Sequence, residues 1–326
     1  MKNFKYIKPK TLKEASQALG KSWDDALPLA GGTDLLSTMK EGIDEPGKVV
    51  NLKSLPGLNK IEYDHGKGLK IGALTTVTEI AEHPVINQKF TVLSEAAQQV
   101  ASPQLRNQGT IGGNICQRPR CWYFREDFDC LRKGGDICYA IDGENKFHCV
   151  IGGAPCFIVH PSDIAVALVA LNASVDIYTQ KKTRTIPIRD FFVLSDENVE
   201  RENILKPGEF ITSIYVPNLP ENTISGYSKF KERGVWDFAI VSVAAVLEKS
   251  GAQIQSGAIA LGGVAPKPWF EHDVSTKLSG INLTGENAAT LTSQILTEAE
   301  PLDQNEYKLP LVRNLTRQLL LKLNSK

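Results

Sequence analysis

All six cysteines of this 326-residue chain lie between Cys116 and Cys156, in the stretch CQRPRCWYFREDFDCLRKGGDICYAIDGENKFHCVIGGAPC. Structural cysteines scattered through a core act as small buried hydrophobes. Their concentration here points instead to a local cross-linking framework or a metal site. From Cys121 onward the spacing is x8 to Cys130 and x7 to Cys138, then x10 to Cys149 or x17 to Cys156. These intervals lack the C-x(2–4)-C knuckle by which two ligands of one tight turn reach a single zinc ion. An iron–sulfur cube presents separate irons at its corners and accepts four thiolates from a loop wrapped around it, which suits long intervals. A 4Fe–4S cluster is therefore the first reading, with a zinc ion, disulfides or free thiols as alternatives.

The residues between the cysteines fit a site better than a core. Arg118, Arg120, Arg125, Arg132 and Lys133 can compensate thiolates, and the pairs Gly134-Gly135 and Gly152-Gly153 let backbone N–H groups turn toward sulfur. His148 and His160 could ligate a metal, but a lone histidine is more often an ordinary polar residue, and neither is assigned.

Composition narrows the partners. With 42% hydrophobic and 23% charged residues the chain reads as an ordinary globular protein, long enough for two or three folding units. Its formal net charge of zero gives no electrostatic case for nucleic acid or an anionic membrane. The N-terminal residues show no export signal, so the expectation is a cytoplasmic protein, or a periplasmic one if a signal-bearing partner carries it out. In a reducing cytosol thiols serve metals rather than disulfides.

Two glycine-rich segments precede or abut the cysteines. Ala26–Ala30 reads as a strand that breaks into Gly31-Gly32-Thr33-Asp34 before a helical segment, with Thr33 as the expected cap. Such a turn lets backbone approach a ligand and turns N–H groups toward an anion, although a plain capped turn has the same appearance. Leu105–Asn114 is the second, too short of periodicity for a helix. Neither is a G-x-G-x-x-G or G-x-x-x-x-G-K-[ST] motif, so a dinucleotide would need another fold.

Around them the chain reads as alternating elements. Thr11 and Glu14 open a helix, Lys60–Tyr63 and Leu69–Leu74 form a hairpin, and TVLSEAAQQVA is a helix expected to end at Ser102-Pro103. Ser162 caps a buried helix, IAVALVALNA, whose first turn holds Asp163, either a dipole partner or a ligand contact. A polar, proline-punctuated region near 195–225 marks a domain boundary. Beyond it come strands of a second sheet and two terminal helices. The charged and aromatic stretch Lys229–Phe238 reads as a solvated edge.

Four segments, PLAGGTDLL at 28–36, QLRNQGTIGGNI at 104–115, HPSDIAVALVALNA at 160–173 and GYSKFKERGVWDFAIVSVAAVL, together resemble the FAD-binding subunit of the xanthine dehydrogenase (molybdenum hydroxylase) family. The resemblance spans essentially the whole chain. It implies an α+β fold: a FAD-binding domain of the vanillyl-alcohol-oxidase (PCMH-like) type in two subdomains, 1–57 and 58–220, and a C-terminal α+β domain, 221–326, like that of CO dehydrogenase flavoproteins. Carried over by position, Leu29, Ala30, Gly31, Gly32, Thr33, Asp34 and Leu35, with Thr110, Gly113 and Asn114, would surround the pyrophosphate and adjoining parts of FAD. Asp163 and Lys229 are further implied contacts.

The insert 116–156 resembles the cluster-bearing insert of hydroxybenzoyl-CoA reductase and of bacterial aromatic aldehyde oxidoreductases. This implies Cys121, Cys130, Cys138 and Cys156 as ligands of a 4Fe–4S cluster, leaves Cys149 spare and puts Cys116 near the flavin. No catalytic residue is implied, because substrate chemistry would belong to partners: a molybdopterin-binding large subunit and a 2Fe–2S small subunit. The expected function is electron transfer between that complex, acting on an aromatic aldehyde, N-heterocycle or aryl-CoA, and an external electron acceptor or donor. The alternatives are a self-sufficient FAD oxidoreductase and a zinc-stabilised interaction subunit.

Overall fold

The structure is a computed structural model and describes residues 1–180 and 182–325. Three sheets follow one another along the chain. The first comprises β1 (Lys5–Ile7), α1 (Leu12–Ala18), β2 (Ala26–Leu29), α2 (Leu35–Lys40) and β3 (Lys48–Asn51), with the strands parallel in the order β1-β3-β2. Thr11 caps α1 by accepting from the Glu14 N–H, as the sequence predicts. At α2 the expectation fails: Asp34, not Thr33, occupies the cap position, and its carboxylate makes no capping bond because it is engaged elsewhere. Ala15, Leu19, Ala26 and Val50 pack here against Leu74 and Phe210 of the next unit.

That unit begins with the predicted hairpin, β4 (Ile61–Asp64) and β5 (Gly68–Gly72), followed by α3 (Val77–Glu82) behind a complete Thr76–Glu79 capping box. After α4 (Pro84–Lys89), α5 (Thr91–Gln99) stops at Val100. Pro103 is not the terminator expected of it. It opens a short helix, α6 (Pro103–Arg106), where a missing N–H costs nothing and φ is already helical. The glycine-rich segment beyond is likewise more regular than its sequence indicates, since Thr110 caps a five-residue helix, α7 (Ile111–Ile115), by accepting from the Gly113 N–H.

The cysteine insert carries little regular structure beyond α8 (Trp122–Arg125). Its own small core of Tyr123, Phe124, Cys130 and Ala140 is bordered by Cys121, Trp122, Cys138 and Phe157. Every residue of α9 (Asp163–Ala170) is buried, which explains why its sequence is apolar all round. Then β6 (Ser174–Tyr178), β7 (Thr183–Pro187) and β8 (Phe210–Pro217) complete an antiparallel sheet in the order β4-β5-β8-β6-β7.

The third sheet is an antiparallel set, β9 (Thr223–Phe230), β10 (Val241–Ser250), β11 (Gln253–Gly262) and β12 (Trp269–Phe270), in the order β12-β11-β10-β9. Alternate residues of β10 face different cores. Ala244 and Val246 join α5 and α9, while Val243, Ala245 and Leu247 pack under α10 (His272–Lys277), α11 (Gly285–Thr292) and α12 (Lys308–Asn324). A strand covered on both faces needs no polar alternation, hence the nearly continuous VSVAAVL. Among the described residues no helix is long and apolar enough to cross a membrane.

Candidate flavin cavity and thiol cluster

A cavity of about 550 Å3 opens where the turn after β2, the start of α7, the first turn of α9 and the β9–β10 loop meet. That volume falls among ligand sites, which run from about 300 to about 1,000 Å3. Its floor depends on glycine. A Cβ on Gly31 would stand 2.1 Å from the Gln108 carbonyl oxygen, so only glycine lets the two glycine-rich segments touch. Among the described residues no protein group accepts from the backbone N–H groups of Gly31, Gly32 or Thr33. Three successive donors without a protein partner, on residues that line a cavity, are the makings of an anion-binding concavity, the kind of site a dinucleotide's diphosphate takes.

Of the twelve residues expected around FAD, Ala30, Gly31, Gly32, Thr33, Asp34, Leu35, Thr110, Gly113, Asn114, Asp163 and Lys229 line this cavity. Leu29 does not. It ends β2 with its Cδ1 only 3.1 Å from where a Cβ on Gly32 would lie, so it supports the turn from behind. Asn114 accepts from the Ser162 hydroxyl at 2.5 Å, and the same Ser162 oxygen caps α9 by accepting from the Ala165 N–H, so the two cavity-lining helix starts are tied together.

Asp163 is neither a simple dipole partner nor a free ligand contact. Its carboxylate accepts from the Tyr227 hydroxyl at 2.6 Å and from Lys229 Nζ at 2.8 Å. Burial pushes its pKa upward, against the pull of Lys229 and Tyr227. Both cavity residues therefore enter as an ion pair that joins α9 to β9.

Asp34 is similarly committed. Its oxygens accept from the Arg118 backbone N–H at 2.8 Å, Arg120 at 2.6 Å and Arg125 at 2.9 Å. The basic residues expected to compensate sulfur mostly meet oxygen instead. Arg118 pairs with Glu202 and Asp44, Arg125 also with Glu41, and Lys133 donates to the Glu126 carbonyl. Carboxylates close by outcompete a more diffuse sulfur set for a guanidinium fork. Arg132 alone is near both, pairing with Glu202 at 2.6 Å and lying within electrostatic reach of Cys156.

Sequence reasoning missed Glu202, which is 2% exposed and lines the cavity, because it lies in a polar stretch read as a linker. It also placed Trp236 and Phe238 on a solvated edge. They are exposed but border the cavity, and Arg120 stacks on Phe238 at 5.1 Å.

All six thiols are free. Cys138 and Cys156 lie close enough to influence one another, Cys121 lies within electrostatic reach of Cys156 and Cys130, and Cys149 within reach of Cys156 and Cys121. The mutual interaction of Cys138 and Cys156 draws Cys156 down, with Arg132 pulling the same way, and pushes Cys138 up. Burial pushes Cys121 up to about 12. Cys149 is fully buried between Gly153 and the Lys308 side, and Cys116 lies in the cavity wall beside Glu202. His148 Nε2 stands 3.2 Å from Cys121 Sγ, whereas His160 Nδ1 accepts from the Ser162 N–H in an ordinary polar role. Among the described residues no three His, Cys, Asp or Glu side chains converge closely enough for a single metal ion. A cube that bonds each thiolate to a different iron takes a wider set than one ion does.

Comparison with known proteins places the chain. Residues 2–219 match the family described as the FAD binding domain in molybdopterin dehydrogenase, and 225–323 the CO dehydrogenase flavoprotein C-terminal domain. The chain is 37% identical to the aldehyde oxidoreductase FAD-binding subunit of Escherichia coli (strain K12), covering 98% of both chains. It is 27% identical to the carbon monoxide dehydrogenase medium chain of Hydrogenophaga pseudoflava, over 97% of this chain and 96% of that one. A solved carbon monoxide dehydrogenase from the same organism superposes with a TM-score of 0.78 at 25% identity, over 99% and 98% of the two chains. The α+β fold implied by the sequence motifs is thus that of these flavoproteins, and the chain belongs to the family of FAD-binding subunits of molybdopterin dehydrogenases.

Proposed function

We propose that this chain is the FAD- and 4Fe–4S-bearing electron-transfer subunit of a heteromeric molybdenum hydroxylase or reductase, assembled with a molybdopterin-binding large subunit and a 2Fe–2S small subunit. The observation that carries this reading is the adjacency of two built sites: the glycine-floored cavity, and Cys121, Cys130, Cys138 and Cys156 gathered on an insert that Asp34 ties to the cavity's edge. When bound, FAD would exchange two electrons and the cluster would pass them singly.

The chain's own groups do the holding. The N–H groups of Gly31, Gly32 and Thr33 would donate to the diphosphate. The buried Asp163–Lys229 pair would present an oriented cation and anion to the flavin side while cancelling each other's net charge. The four cysteines would bind iron as thiolates, so cluster assembly on Cys121 and Cys138, whose thiols hold their protons, releases those protons. Cys156 is favoured over Cys149 as the fourth ligand because Cys138 acts on it and not on Cys149. Of the substrates that such complexes take (aromatic aldehydes, N-heterocycles, aryl-CoA thioesters), identity to an aldehyde oxidoreductase subunit favours an aldehyde.

The test is an optical spectrum of the purified chain with iron, sulfide and flavin analysis, before and after dithionite. Flavin bands over a broad iron–sulfur absorption that bleaches on reduction are expected. One zinc and no flavin per chain would refute the reading, and flavin bleaching by aldehyde without partner subunits would favour a self-sufficient oxidoreductase.

A further inference from the structure

Between the cavity and the thiols runs a buried chain of charges. Glu202 is 2% exposed and lines the cavity. It accepts from Arg132 Nη1 at 2.6 Å and from Arg118 Nε at 3.2 Å. Arg132 sits two residues after Cys130, in the 3-10 turn that Cys130 opens, with its side chain 1% exposed, and its charge lies near enough to Cys156 to act on that sulfur. The strand-like segment bearing Glu202 holds the same cysteine from the other side: the Ser195 hydroxyl donates to the Cys156 carbonyl at 2.7 Å, and Asn203 bridges to Phe192. One carboxylate thus borders the flavin cavity and, through one guanidinium, a proposed iron ligand.

We propose that Glu202 and Arg132 are a positioning pair that sets the reduction potentials of the cluster and the flavin together. This rests on the reading of the insert as cluster-bearing. The argument is electrostatic. Reduction adds negative charge, and in a dry interior a nearby fixed charge acts with little screening. The net charge near a cluster and hydrogen bonds to its sulfurs are among the levers that set its potential. Arg132 supplies the first, and Glu202 cancels that charge while fixing the guanidinium in the turn after Cys130. Removing the anion leaves an uncompensated cation beside the sulfur, which favours the reduced state. Removing the cation does the reverse.

The test is a potentiometric titration of the intact complex, following the cluster by electron paramagnetic resonance and the flavin by absorbance. Glu202→Gln should raise the cluster potential so that, at the wild-type midpoint, the reduced-to-oxidised ratio is about tenfold higher, or about 59 mV for a one-electron couple. Arg132→Gln should lower it, and Glu202→Asp should restore it toward wild type. A purely structural role predicts loss of iron or no shift, not shifts of opposite sign. Shifts of the same sign, or none, in iron-loaded variants would overturn the proposal. If Glu202→Gln loses its iron, the flavin remains measurable, and a flavin potential unmoved from that of the iron-free Cys130→Ser protein would overturn it as well. Absence of iron from the wild-type complex would instead refute the cluster reading itself.

Discussion

The flavin cavity and the cysteine insert adjoin, yet they are built from opposite materials. The cavity floor is backbone: Gly31 pressed against Gln108, and three N–H groups with no protein acceptor. The insert is side chain: thiols, guanidinium groups and carboxylates held by one another with hardly any regular structure beneath them. A backbone site tolerates change in most side chains and none at its glycine. A side-chain site fails one ligand at a time.

The sharpest break of the pair is at Gly31. Gly31→Ala forces a methyl to 2.1 Å from a carbonyl oxygen, so the two glycine segments must part. Purified protein should lose nearly all its flavin, read from the flavin-to-protein absorbance ratio, while its iron content holds. Cys130→Ser is the mirror experiment, with iron lost and FAD kept. Equal loss of both cofactors would mean that the insert is a folding element of the cavity and that the two materials are not independent.

A third substitution attacks the joint. Asp34→Ala strips the carboxylate partner from Arg120 and one of two from Arg125, and should cost about 1–3 kcal/mol of unfolding free energy in urea, with both cofactors weakened. Loss of flavin alone would show that Asp34 belongs to the cavity and not to the joint.

The smallest effect lies remote from both sites. Burial pushes Glu271, between β12 and α10, up to about 7. A folded-state pKa above the unfolded one means that the native chain binds more protons, so stability falls as pH rises from about 4.5 toward 7. Glu271→Gln keeps an acceptor for the Leu296 N–H and should flatten that part of the urea-midpoint profile by about 1 kcal/mol, leaving cofactor content alone.

What the sequence discloses follows the same division. Caps, hairpin and buried helix are local physics, so Thr11, Ser162 and the apolar α9 are readable from a few neighbours each. The glycine turns were readable as places of close approach, though what they approach was not. Glu202 and the arginine partners of Asp34 are not legible in the sequence because the partners lie far along the chain: 84 residues separate Asp34 from the Arg118 N–H, and 70 separate Arg132 from Glu202. Nothing in the spacing of a lone carboxylate announces a guanidinium that distant. Thr33 reads as a cap for the same reason, since only the arginine contacts explain why Asp34 occupies that place without capping.

The strand β10 has a consequence for how the molecule comes apart. With Val243, Ala245 and Leu247 in one core and Ala244 and Val246 in the other, it is a party wall. Neither room can be emptied without wetting the far side of the same strand, so heat or denaturant should meet one cooperative transition where the order of the sheets along the chain would lead one to look for two.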